Sequence, residues 1–188
     1  MAASDPHPRS NPLPPGQIAC LSAPALKERM EEEINRAGRH DTPLSCLLVA
    51  IDNLDELSRK HGSELSEQML AYVGGALRRE LRRFDRIGRP SDNELLVVLP
   101  GADGPRGEIV ARRVLDRLRT IKVEADGKRR PLCVSVGLAA WQKDTNGEDL
   151  LAQTRAAAQR GHRENASPGI EAQLPFGSPP ALGRTGPA

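Results

Sequence analysis

Residues 95–99, Leu-Leu-Val-Val-Leu, form a short unbroken apolar run directly behind a polar corner, Pro90-Ser91-Asp92-Asn93-Glu94. A continuous, partly β-branched run of this length suits a strand buried on both faces, not one alternating between core and water. Such a strand has to be covered on two sides, which confines the chain to layered folds. The corner is rich in turn formers, and Ile87-Gly88 before it has the character of a partner strand's end, so the segment is expected to be a β-hairpin. Two carboxylates and an amide at its tip raise the question of whether the tip is a chemical site or only a turn.

The rest of the chain supplies the covering layers. Residues 24–39 are expected to be helical, with Leu26, Met30 and Ile34 at spacing four, and Leu44–Ile51 a buried strand. A short helix over 53–60 is stopped by His61-Gly62, and a long one from Glu64 to about Arg83 carries Leu65, Met69, Val73, Leu77 and Leu81 on one face. After the hairpin come a helix over Pro105–Arg119 and a second hairpin joining Ile121–Glu124 to Leu132–Ala140 through Ala125-Asp126-Gly127-Lys128. A last helix spans Asp149–Arg163. The order α-β-α-α-β-β-α-β-β-α describes an α+β sandwich, a mostly antiparallel central sheet flanked by helices. Residues 1–20 and 167–188, punctuated by Pro and Gly, are expected to be disordered tails around one domain at 21–166.

Composition narrows the function. With 38% hydrophobic and 28% charged residues the chain reads as an ordinary soluble protein, and a net charge of +2 gives no general attraction to nucleic acid or anionic membrane. Aromatic residues make up only 2%, so the stacking platforms of single-strand binding are almost absent. Neither a membrane-spanning run nor a secretory signal is seen. The cysteines, Cys20, Cys46 and Cys133, are far apart, and Cys46 and Cys133 lie in strand-like runs that suggest buried thiols. The four histidines show no metal-ligand spacing. These features lead to the expectation of a cytoplasmic protein.

The element order and three landmarks carry a resemblance. Ile51-Asp52 ends the first strand, Arg89 leads into Glu94-Leu95-Leu96-Val97-Val98-Leu99-Pro100, and Val134-Ser135-Val136-Gly137-Leu138-Ala139 is similar to a "SIGVA" strand. From about Leu21 to Arg163 the chain resembles a GGDEF domain, the bacterial module that condenses two GTP into cyclic di-GMP, and this implies a nucleotide-cyclase-like fold. On this resemblance Ser91-Asp92-Asn93-Glu94-Leu95 occupies the signature Gly-Gly-Asp/Glu-Glu-Phe. The glycines that would let backbone approach GTP are replaced by Ser91 and Asp92, and the metal-binding carboxylate at the third position by the amide of Asn93. The other metal carboxylate falls on Ala50. Guanine-binding positions fall on Ser58 and Glu67, a Lys of the short helix on Asp55, and a phosphate-binding Lys on His162, while the "LTGLPNR" signature is not recognisable around Ile18 to Pro24. The resemblance therefore implies a degenerate domain with no catalytic residues, no bound Mg²⁺ and no cofactor.

One family feature is retained. An inhibitory nucleotide site, the I-site, is marked by Arg-x-x-Asp ending six residues before the signature, and Arg82-Arg83-Phe84-Asp85 stands there, with Arg113 at the position of the further arginine. Arginine forks match the Hoogsteen edge of guanine, and an Asp can accept from its N1–H and amino group. Arg113-Val114-Leu115-Asp116 matches the same short pattern, so position relative to the hairpin carries the assignment, and ordinary surface charge is the alternative. Two readings follow. The first is a cyclic di-GMP receptor acting through Arg82, Asp85 and Arg113 on a bacterial signalling or motility protein. The second is an interaction scaffold that binds no nucleotide. A homodimer is among the expected assemblies, and neither nucleic acid nor membrane is an expected partner.

Overall fold

The computed structural model describes residues 20–125 and 128–165. The elements are α1 (Ala23–His40), β1 (Leu44–Ile51), α2 (Leu54–His61), α3 (Ser63–Glu80), β2 (Arg86–Ser91), β3 (Glu94–Pro100), α4 (Gly104–Arg119), β4 (Lys122–Ala125), β5 (Lys128–Pro131), β6 (Val134–Ala140) and α5 (Gly147–Asn165). Four strands form one antiparallel sheet in the order β2-β3-β1-β6. Both long apolar runs are its central strands, as runs without alternation should be. Along β1, Leu47, Val49 and Ile51 pack toward α3 and α4, while Leu44, Cys46 and Leu48 pack toward α1 and α5. The period of two thus divides one strand between two cores. Among the described residues no helix is long and apolar enough to cross a membrane.

The helix ends follow local chemistry. Asp103 Oδ1 accepts from Arg106 N at 2.9 Å at the start of α4, and Pro105 sits in its first turn. Asn146 and Asp149 cap one another at the start of α5, side chain to backbone and side chain to side chain, both at 2.9 Å. The outer edge of β2 is not bare: Leu21 N donates to Ile87 O at 2.9 Å and Leu21 O accepts from Arg89 N at 2.8 Å. On the far side, β6 and α5 approach so closely that a Cβ on Gly137 would lie 2.4 Å from Thr154 O and 2.3 Å from Ala158 N.

Three expectations are corrected. The second hairpin does not join Ile121–Glu124 to Leu132–Ala140: β4 pairs instead with β5 in a separate two-stranded sheet, and β6 pairs with β1. Pro131 ends β5, and without an N–H it cannot continue into a central ladder. The long helix stops at Glu80, not near Arg83, because Leu81 turns to extended backbone and residues 82–85 form a turn of their own. Cys133 is exposed rather than buried, since it lies in the link between β5 and β6. Cys46 is buried, and burial pushes its thiol pKa up to about 12. The expected tails, 1–20 and 167–188, fall outside the described residues apart from Cys20, as does the turn residue pair Asp126-Gly127.

Candidate functional site

The β2–β3 hairpin turns through only two residues, Asp92 and Asn93, tighter than the five-residue corner suggested by composition. Pro90 fits inside β2 because the register shifts between Gly88 and Ser91, which relieves the ladder of its missing N–H. The corner is bound internally. Arg89 reaches Asp92 O at 3.0 Å and the Glu67 carboxylate at 2.9 Å. Ser91 Oγ donates to Glu94 Oε2 at 2.8 Å and meets Asn93 Oδ1 at 3.3 Å. The Asp92 side chain is fully exposed, and Leu95 faces the α3–α4 core.

Register brings a row of side chains together. Glu94 of β3 and Ser135 of β6 both pair with Ala50 of β1, so the three share the face under α5. A cavity of about 220 Å³ opens there, lined by Leu48, Ala50, Asp52, Glu94, Ser135 and Arg155 among others. Arg155, on α5, closes on Glu94 with a bidentate pair: Nε to Oε1 and Oε2 at 3.0 Å, and Nη2 to Oε2 at 2.7 Å. The Glu94 side chain is 14% exposed and that of Arg155 37%. The hydrogen bond to Glu94 raises the Arg155 pKa further above its already high value. Beside them, Ser135 Oγ donates to Asp52 Oδ2 at 2.8 Å.

Neither Arg155 nor the Ser135–Asp52 bond is legible from residue spacing. The one hint is a lone arginine between Thr154 and the run Ala156–Ala158, with Leu151, Ala152 and Ala158 among its neighbours one turn away. Of the other positions that the resemblance had assigned to nucleotide, Glu67 holds Arg89, and the side chain of His162 lies outside the described residues.

The second candidate cluster lies where α3 ends and β2 begins. Arg82 and Asp85 close a four-residue turn: Asp85 N donates to Arg82 O at 3.2 Å, and Arg82 N donates to Asp85 Oδ2 at 2.7 Å. Arg78, one helical turn earlier, donates to Asp85 O at 3.0 Å. From α4, Arg113 reaches Glu80 O at 2.5 Å. The structure therefore brings Arg82, Asp85 and Arg113 together, and adds Arg78, which the motif does not include. Their exposures differ. Asp85 is buried at 3%, Arg82 is exposed, and the Arg113 side chain is 52% exposed. Burial raises the Asp85 pKa above the ordinary carboxylate value; the Arg82 N–H and the Arg82, Arg78 and Arg113 guanidinia oppose that rise.

The comparisons with known proteins agree with this architecture. The GGDEF family profile (diguanylate cyclase, GGDEF domain) matches residues 23–167. The diguanylate cyclase DgcP of Pseudomonas aeruginosa is 26% identical over 139 residues, which is 74% of this chain and 21% of DgcP. The diguanylate cyclase DosC of Escherichia coli is 28% identical over 122 residues, 64% of this chain and 26% of DosC. The chain thus spans about a fifth to a quarter of the length of these relatives. Among solved structures, the GGDEF domain of Caulobacter crescentus DgcB in complex with c-di-GMP superposes with a TM-score of 0.70 at 14% identity, covering 82% of this chain and 94% of that one. Diguanylate cyclase SiaD of Pseudomonas aeruginosa, solved with its activator SiaC, gives 0.71 at 24% identity, covering 77% and 55%. The sandwich, the hairpin and the family profile lead to one conclusion: the chain belongs to the GGDEF diguanylate cyclase domain family.

Proposed function

We propose that this GGDEF domain is a cyclic di-GMP receptor that makes no cyclic di-GMP itself and signals through contact with another protein. The observation that carries the reading is the cluster at the end of α3. Two arginines from different segments, Arg82 of the turn after α3 and Arg113 of α4, flank Asp85 with their guanidinia at the surface. Planar donors in that arrangement suit guanine edges and phosphates. A GGDEF domain of the same fold has been solved with c-di-GMP, which adds weight.

The absence of catalysis rests on the hairpin edge. Phosphoryl transfer in this family's chemistry requires Mg²⁺ to gather the triphosphate and neutralise its charge. The donor set at this edge does not fit that ion. Ala50 offers a methyl group, Asn93 a neutral amide, and the Glu94 carboxylate is taken by Arg155 and Ser91. Among the described residues no group of three or more His, Cys, Asp and Glu converges. No metal-dependent step is therefore assigned to this site.

The test is calorimetric titration of cyclic di-GMP into the wild-type protein, Arg82→Ala and Arg113→Ala. Saturable binding is expected, weakened about tenfold or more in each variant, since a charge-assisted hydrogen bond contributes about 1.5–3 kcal/mol. Incubation with GTP and Mg²⁺ is expected to give no product, and measurable cyclic di-GMP would overturn the catalytic half of the reading. A second reading, a scaffold that binds no nucleotide, has an observation in its favour: Asp85 and Arg113 both have internal partners, Arg82 N and Glu80 O. Absence of heat in the wild type would select it.

A further inference from the structure

The chain has one Trp, one Tyr and two Phe in 188 residues, so where it places a ring is informative. Trp141 packs against the α1–α5 core and donates through Nε1 to Thr145 O at 2.8 Å. Phe84 does the opposite. It sits inside the Arg82–Asp85 turn, 53% exposed, and belongs to neither hydrophobic core. The bonds that close the turn join its first and last residues, so Phe84 is not one of the residues that close it. The Arg82 guanidinium carbon lies 5.9 Å from the centroid of its ring, at the outer limit of a cation–π contact. Burying such a ring would be favourable, yet this one stays in water beside an arginine. Ile109, also exposed, stands one helical turn before Arg113 on α4, so the second arginine has an apolar neighbour on its own face.

We propose that Phe84 is a ligand-contacting residue of this face, a stacking platform for one purine of the cyclic dinucleotide. The inference rests on the receptor reading and adds a residue that the Arg-x-x-Asp pattern does not specify. The division of labour is physical. The arginines supply donors for base edge or phosphate, which water competes for. The ring supplies a flat apolar surface that any purine face can cover.

Cyclic di-GMP is titrated calorimetrically into wild type, Phe84→Ala, Phe84→Leu, Phe84→Tyr and Arg82→Ala, with urea unfolding confirming that each variant is folded. Phe84→Ala and Phe84→Leu are expected to bind about tenfold or more weakly, and Phe84→Tyr within about threefold of wild type. If Arg82→Ala loses binding while Phe84→Ala stays within about threefold of wild type, the ring is no platform and the receptor reading stands. If Phe84→Leu binds as well as wild type, stacking is overturned in favour of simple apolar contact. Absence of binding in the wild type itself overturns the receptor reading and the role of Phe84 with it.

Discussion

The two chemically interesting regions use their charges in opposite ways. Under α5, Glu94 and Arg155 face each other across the sheet–helix boundary, and each largely satisfies the other. At the end of α3, Arg82 is exposed with its guanidinium against Phe84, and Arg113 keeps half its side chain in solvent. The first region is closed by a pair that holds a helix to a sheet. The second is stapled from beneath by a buried Asp85 and leaves its cations outward. Within one family fold, the position with the more familiar signature is thus the more self-contained, and the turn beside it keeps donors available.

The largest expected effect that would break this contrast is at Gly137. A Cβ there would collide with backbone of α5, which cannot yield as a side chain can. Gly137→Ala should destabilise by about 3 kcal/mol or more and lift the helix that carries Arg155. Urea unfolding measures the loss. A near-neutral result would mean that α5 is loosely seated and that the Arg155–Glu94 pair is not held in place by packing.

Arg155→Ala should have a smaller effect, about 1–2 kcal/mol, because Glu94 would keep most of its burial and lose its cation, while the partial exposure of Arg155 limits the cost. Arg82→Ala, by contrast, should change stability by less than about 0.5 kcal/mol, as surface substitutions do, while weakening the proposed ligand binding about tenfold or more. Equal losses in the two variants, measured by the same unfolding experiment, would erase the distinction between a structural and an available arginine.

The smallest effect concerns pH. Asp85 has a folded pKa raised by burial, so its ionised form is disfavoured in the native state. Its contribution to stability is full below the unfolded value near 3.8 and is lost as pH rises through the raised folded value. Asp85→Asn keeps an oxygen for Arg82 N–H and removes the titration. Relative to this variant, wild type should lose stability as pH rises through that window. A wild type that gains stability there would mean that the surrounding arginines outweigh burial, and that the turn is held electrostatically.

How far the sequence reached depended on how local the signal was. Leu44–Ile51 was readable to the residue because a fully buried strand is written in its own run of side chains, and α1 and α4 were readable within one residue or so from their periodicity and prolines. The short β5 was not readable, since Lys128–Pro131 carries no apolar pattern and exists as a strand only through its pairing with β4. The Arg82-x-x-Asp85 motif could be located, but not that it forms a turn of its own with Asp85 buried and bonded to Arg82 N, since burial at that corner depends on how the α3–β2 connection sits in the whole fold.

The amino-acid sequence by itself determined the family, the layered fold and the residue types at the hairpin tip, because apolar periodicity and the order of elements are properties of neighbouring residues. Only the tertiary structure decided what those residues do. Glu94 and Arg155 stand 61 positions apart, and no local rule pairs them. They meet because the β1–β3 register sets Glu94 beside Ala50 on the α5 face, and because Gly137, having no side chain, lets α5 approach that sheet.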